Sequence, residues 1–210
     1  MAQGDPHAQS GYLKKVDKIV EHIDNIYARA PVAQLDRAAD YESVGWGFES
    51  LRARFLRMTD DEKFMKEALV EAQKALEEGE VPVGAVVVHE GRIIGRGHNM
   101  TETLKDPTAH AEIIAITAAA AYLKNWRLEG AKLYVTLEPC IMCAGASVLA
   151  RLEEIVFALP DPKFGGCVSL YKIPEDARLN HRVRVRQGPL SEEVQKLMKS
   201  FFQKLRAKKS

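Results

Sequence analysis

The chain has 210 residues, 46% of them apolar and 28% charged, with a formal net charge of +1. This composition excludes a disordered, collagen-like or strongly polyionic chain and supports one domain with a real core. No apolar run approaches a membrane span, no signal-peptide segment opens the chain, and the three cysteines are an odd number; the expectation is a cytoplasmic protein in a reducing compartment, without a disulfide framework.

Regular structure is expected from Thr59 onward. Thr59-Asp60-Asp61-Glu62 is a capping box, with a hydroxyl at the N-cap and a carboxylate three residues on. It opens a helix whose apolar positions Phe64, Met65, Ala68, Leu69, Ala72, Ala75 and Leu76 keep helical spacing, and which ends at Gly79. Val83 to Val88 reads as a buried strand, Glu90-Gly91 as a turn, and Arg92 to Gly97 as the hairpin partner. Asp106-Pro107-Thr108 leads into a helix carrying His110 and Glu112. Lys132 to Leu137 is a further strand, and Glu138-Pro139-Cys140 starts the next helix, where proline suits the first turn. Glu154 to Leu159 is a strand reached through that helix, as in a parallel crossover. Arg182 to Arg186 alternates basic residues with valine, a half-exposed strand. Ser191 to Lys208 forms a last amphipathic helix with Val194, Leu197, Met198, Phe201 and Phe202 apolar. Cys167, outside these elements, reads as a small buried thiol.

Two short motifs carry chemistry. His110-Ala111-Glu112 offers one imidazole and one carboxylate, and Pro139-Cys140-Ile141-Met142-Cys143 offers two thiolates. Each motif alone is weak: His and Glu are common on solvated helices, and C-x-x-C also occurs in redox pairs and structural zinc sites. Together, in this order and each between a strand and a helix, they are far more specific. Cys140 and Cys143, three residues apart on one helical face, can grip one ion. Three protein ligands with a fourth position left open is the composition of a catalytic zinc site, because a structural one is closed by four. Water fills the open position, and zinc brings its pKa towards neutrality. Glu112 lies close enough in sequence to shuttle a proton without binding the metal.

Charge is uneven along the chain. Residues 172–210 hold eleven Lys/Arg against four Asp/Glu, a local net of +7, which leaves −6 for the rest. Such a tail suggests a polyanionic partner, nucleic acid among the candidates. The bland alternative is a solvated helix end whose cations suit the helix dipole.

Over about residues 60–208 the sequence resembles the bacterial tRNA-adenosine deaminases of the cytidine-deaminase-like superfamily. The resemblance rests on E-V-P-V-G-A-V at Glu80–Val86, G-H-N at Gly97–Asn99, D-P-T-A-H-A-E at Asp106–Glu112 and Y-V-T-L-E-P-C-I-M-C-A-G-A at Tyr134–Ala146. N-H-R at Asn180–Arg182 and the tail Phe201-Phe202 with Arg206 also match. The pattern H-x-E…P-C-x-x-C is the known signature of zinc nucleobase deaminases. The resemblance implies a three-layer α/β/α fold with a mixed sheet of about five strands, a homodimer and one zinc per subunit. It makes His110, Cys140 and Cys143 the ligands and Glu112 the proton shuttle. It puts Asn99 on the substrate base or sugar, and Pro82 and Val83 against a flipped nucleotide. Asp161 and Lys163 fall on a loop that faces RNA, and Asp106, Phe202 and Arg206 join the expected substrate contacts. That loop reads D-P-K-F-G-G-C-V-S here, with Phe164 and Cys167 where relatives vary.

Residues 1–57 read differently, and the deaminase domain is expected over 58–210. Val32 to Ala38 is what GTA GCT CAG CTG GAT AGA GCG encodes, which has the form of a tRNA D-arm. Gly47 to Ser50 admits GGG TTC GAA TCC, the core of a T-arm, and Asp40 to Ser43 admits an anticodon loop reading ACG. The flanks Ala30–Val32 and Arg52–Arg54 admit complementary acceptor ends. The expectation is a mis-assigned start running through a tRNA gene, with Met58 the true start. The alternative is a genuine extension with an amphipathic helix at Leu13, Val16, Ile19, Val20, Ile23 and Tyr27.

The function expected is hydrolytic deamination of adenosine to inosine at the wobble position of a tRNA anticodon stem-loop, arginine tRNA with anticodon ACG being the first candidate. The alternative within enzymes is a free-base or nucleotide deaminase for guanine or cytosine. A non-catalytic zinc RNA-binding module is the other alternative; the intact Glu112 argues against it, since binding needs no proton shuttle.

Overall fold

The computed structural model describes residues 58–207, so the reading of residues 1–57, and Lys208 of the last helix, lie outside the described residues. The capping box forms as expected: Glu62 N–H donates to the Thr59 hydroxyl and Thr59 N–H to the Glu62 carboxylate, at 3.2 and 2.9 Å. It starts α1, Asp60–Glu77, and Gly79 follows at φ +80, a left-handed conformation that glycine adopts without strain.

β1 (Gly84–His89) and β2 (Arg92–His98) are a hairpin. Its turn residues Glu90 and Gly91 both have positive φ, 50° and 73°, as a two-residue turn matching strand twist requires. The short helix α2, Thr101–Leu104, follows; its four residues are too few to show a period in sequence. Then come α3 (Ala111–Leu123), β3 (Lys132–Leu137), α4 (Ile141–Leu149), β4 (Glu154–Leu159), a 3₁₀ turn at Ile173–Glu175, β5 (Arg184–Gln187) and α5 (Ser191–Ala207). β5 starts two residues later than its alternation suggests, because Val183 N–H donates to the Pro174 carbonyl at 2.8 Å, outside the sheet.

The sheet order is β2-β1-β3-β4-β5. β1 runs antiparallel to both neighbours, while β3, β4 and β5 are parallel, so the sheet is mixed. Successive side chains of a strand point to opposite faces. Ala85 and Val87 of β1, with Leu133, Val135, Ile155 and Phe157, pack against α3 and α4. Val86 and Val88, with Tyr134, Val156 and Ala158, pack against α1 and Val194 of α5. The result is the expected α/β/α sandwich.

α3 approaches the sheet closely. A Cβ on Gly97 would lie 2.4 Å from the Ala111 carbonyl oxygen, and one on Gly95 would lie 2.2 Å from that of Ala115. The facing side of the helix is correspondingly small, with Ala111, Ala115, Ala118 and Ala119 buried. This contact fixes the N-terminus of α3, and hence His110 and Glu112, against the end of β2.

Two of the eleven cations of the basic tail, Arg184 and Arg186, are neutralised by acids outside it. Arg186 forms a fork with Asp61 at 2.6 and 2.8 Å and also pairs with Glu154 at 3.0 Å. Arg178 pairs with Asp176 at 2.6 Å, and Arg184 with Glu153. The surplus read from sequence therefore overstates the charge offered to a partner. Among the described residues no helix is long and apolar enough to cross a membrane.

Candidate active site

Two helix starts face each other at one end of the sheet. His110 is the N-cap of α3, in extended conformation and outside the helix it was expected to occupy. Cys140 is the N-cap of α4 and Cys143 lies one turn in, buried. The Cys140 and Cys143 sulfurs each lie 3.6 Å from His110 Nδ1. A tetrahedral ion at about 2.3 Å from sulfur and about 2.05 Å from nitrogen requires a sulfur–nitrogen edge of about 3.6 Å. The three ligand atoms, all within 4.8 Å of one another, are thus positioned for a metal.

The electrostatics suit a cation. The facing Cys143 thiol and then the His110 ring hold the Cys140 thiol down to about 4, although burial opposes this. Cys143, facing the Cys140 sulfur and buried, is pushed up, so the pair shares one proton. The hydrogen bond to Cys140 raises His110. Glu112 is 3% exposed, and burial pushes its carboxyl up to about 7, where a proton can be both taken and given near neutral pH.

The group opens onto a cleft of about 470 Å³. His110, Glu112 and Cys140 line it, with Val83, Asn99 and Asp161 from the expected substrate contacts. Pro82 is buried beside Val83 and does not line the cleft. Asp106 does not line it either: its Oδ1 accepts from the Thr108 backbone N–H and hydroxyl, folding the turn that delivers His110. Lys163, Phe202 and Arg206 gather elsewhere, in a shallow cavity with Gln195, Met198 and Lys199 of α5. Phe201 is half-buried and Phe202 exposed, edge to face at 5.2 Å between ring centres. Cys167 is the buried thiol expected.

Two buried carboxylates at the cleft were not anticipated. Glu80 accepts from Asn99 Nδ2 at 3.1 Å and from Thr103 N–H at 2.6 Å. Glu138, next to the Pro139-Cys140 pair, gathers the loop 161–169. Its Oε1 accepts from the backbone N–H groups of Cys167, Val168 and Ser169 at 3.2, 2.7 and 2.9 Å. Its Oε2 accepts from Asp161 N–H at 2.9 Å and from the Ser169 hydroxyl. Burial alone would raise the Glu138 carboxyl, but these donors hold it below its ordinary range. The loop fits tightly: a Cβ on Gly165 would lie 2.5 Å from the Glu138 carboxyl. Asp161 Oδ1 accepts from Lys163 N–H at 2.9 Å, so its side chain also shapes this loop.

The MafB19-like deaminase family matches residues 59–206. A tRNA-specific adenosine deaminase of Aquifex aeolicus (strain VF5) is 54% identical over 145 residues, covering 69% of this chain and 95% of the relative. The chain belongs to the tRNA-specific adenosine deaminase family. A second such relative, from Bacillus subtilis (strain 168), is 53% identical over 152 residues, covering 72% of this chain and 94% of its own. A solved structure from a study of A-to-I editing by tRNA:A34 deaminases at the wobble position superposes with a TM-score of 0.62 at 44% identity. That match covers 64% of this chain and 98% of the other.

Proposed function

We propose that this protein hydrolyses adenosine to inosine at the wobble position of a tRNA anticodon, with arginine tRNA bearing ACG as first substrate. The observation that carries the reading is the His110–Cys140–Cys143 triangle open to a cleft beside buried Glu112. Its occurrence in a chain 53–54% identical to tRNA-specific adenosine deaminases supports the choice of base and RNA.

His110, Cys140 and Cys143 would hold zinc, the metal suited to one imidazole and two thiolates. Zinc bound there supplies an activated water near neutral pH. Glu112 would take one proton from that water and place it on ring N1, then take the second from the new C6 hydroxyl and place it on the departing amine. A C–O bond forms at C6, the C6–N6 bond breaks, and one water is exchanged for one ammonia. The peptide groups at the start of α4 favour negative charge developing at this position. Val83 and Asn99 on the cleft wall would hold a base turned out of its stack. Lys163, Phe202 and Arg206 would meet the rest of the anticodon stem-loop, combining charge with an exposed ring. Pro82 and Asp106 would act behind the cleft wall, by backing Val83 and by setting the His110 turn.

A homodimer accords with the exposed apolar side chains Ile141 and Leu149 of α4 and Val168, Leu170 and Tyr171 of the loop after β4. A tRNA substrate would locate the reaction in the cytoplasm. Incubation of the zinc-loaded protein with an arginine-tRNA anticodon stem-loop tests the reading. Inosine at the wobble position is expected; an unchanged adenosine in the stem-loop alongside turnover of free guanine or cytosine would replace it with free-base deamination.

A further inference from the structure

Asn99 is held in one orientation by its neighbours. Its backbone N–H donates to the Val83 carbonyl at 3.0 Å, and its side chain is 7% exposed at the cleft wall. Glu80, 1% exposed, accepts from Asn99 Nδ2 through Oε2 and from Thr103 N–H through Oε1. A carboxylate only accepts, so the amide turns its NH₂ towards Glu80. Asn99 Oδ1 then lies on the other side, where it accepts from the Thr101 hydroxyl at 3.2 Å. A carbonyl oxygen has two acceptor positions, and Thr101 fills one. Oδ1 has no second partner among the described residues, and Thr101 and Asn99 both line the cleft.

A fixed acceptor selects a donor. This step rests on the adenosine reading above. In an adenosine within an RNA strand, N1, N3 and N7 are acceptors, and the 3′ and 5′ oxygens are esterified. The only donors are the N6 amine and the 2′-hydroxyl. The amine is the leaving group and belongs with Glu112 and the His110–Cys140–Cys143 group. We infer that Glu80 is a positioning residue that locks the Asn99 amide so that Oδ1 accepts from the 2′-hydroxyl of the target nucleotide, selecting ribose over deoxyribose. The 2′-hydroxyl is the general means by which proteins distinguish RNA from DNA.

Glu80→Gln gives a specific reversal. Thr103 N–H requires an oxygen at the Oε1 position, so the new NH₂ faces Asn99. Asn99 must then present Oδ1 to residue 80 and turn its NH₂ to the cleft. The acceptor becomes a donor with almost no change of shape.

The test uses zinc-loaded protein and three anticodon stem-loops, with ribose, 2′-fluoro or 2′-deoxy sugar at the target adenosine. The 2′-fluoro sugar keeps the ribose pucker and lacks the donor. Wild-type kcat/KM is expected to fall by about 10-fold to 10²-fold from ribose to 2′-fluoro, the size expected for leaving one buried acceptor unpaired. In Glu80→Gln that ratio is expected to collapse towards one. The wild-type arm does not depend on the variant folding. Equal rates on ribose and 2′-fluoro substrates by the wild type would overturn the inference while leaving the tRNA reading intact. So would a ratio that persists unchanged in a folded Glu80→Gln protein. Absence of inosine from the ribose stem-loop would remove the adenosine reading and this inference with it.

Discussion

Glu138→Gln is the sharpest probe of how the site is built. The glutamine keeps one oxygen, which stays on the side facing the three N–H groups of Cys167, Val168 and Ser169. Its NH₂ then confronts Asp161 N–H, which loses its acceptor. The Ser169 hydroxyl can turn and accept instead. An orphaned buried N–H costs about 1–3 kcal/mol. The three surviving bonds lose their charge assistance, roughly 0.5–1 kcal/mol each. The sum is about 3–5 kcal/mol, concentrated on loop 161–169 and not on the sheet, whose packing is untouched. At ~1.4 kcal/mol per decade, local opening of the loop should rise by about 10²-fold or more. Hydrogen exchange reads this directly. Val168 and Ser169 amides should lose protection by that factor, while Val86, Val135 and Val156 in the sheet keep theirs. Because Asp161 and Phe164 line the cleft, kcat/KM should fall in parallel. Unchanged protection at Val168 and Ser169 would refute the claim that this carboxylate organises the loop.

The cavity between Lys163 and α5 can be tested by salt. Lys163→Ala and Lys199→Ala should weaken stem-loop binding and flatten its salt dependence, the slope falling by about one for each phosphate left without its lysine; an unaltered slope would mark these lysines as solvated and unrelated to RNA. Acid stability depends on Glu71, buried beside His98, Lys74 and Arg96. Burial would raise its carboxyl, but His98 and then Lys74 and Arg96 lower it from 4.5 to about 2. A depressed carboxylate stabilises the fold above its unfolded value and loses that contribution as pH falls towards the folded one. About 3 kcal/mol, fully present above pH 5, should therefore disappear between about pH 4.5 and 2. Denaturant unfolding of Glu71→Gln against wild type should show this difference at pH 7 and little of it at pH 2; a difference independent of pH would contradict the assignment. A chain beginning at Met58 is expected to fold and deaminate like the full chain, a reading supported by the family match over residues 59–206. Peptides from Val32 to Arg52 in the native protein's mass spectrum would count against the mis-assigned start.

What the sequence made legible was local. The Thr59–Glu62 box, the Glu90-Gly91 turn and the apolar strands are each set by residues adjacent in the chain, and they form where expected. So does the pairing of H-x-E with P-C-x-x-C. The N-cap position of His110 was hidden, because Asp106 and Thr108 compete as helix-start signals and their contacts fold the preceding turn. Glu80 and Glu138 were hidden for another reason. Hydropathy reads glutamate as surface, and their partners are backbone N–H groups 23 to 31 residues away. The same blindness inflated the basic tail: Arg186 looks free in sequence but is bound to Asp61, 125 residues earlier. Long-range pairing of charges has no periodicity to read.

The central claim is that His110, Cys140 and Cys143 hold the metal while Glu112 moves the proton. The measurement that tests it most directly is inosine formed on the arginine-tRNA stem-loop, read together with zinc bound per chain, for wild type, Cys143→Ala and Glu112→Ala. Wild type should carry one zinc and turn over. Cys143→Ala should lose both zinc and turnover. Glu112→Ala should keep its zinc and lose turnover by at least the ~10²–10⁴-fold typical of a general acid–base group. Near wild-type turnover by Glu112→Ala, or by protein free of metal, would contradict the account.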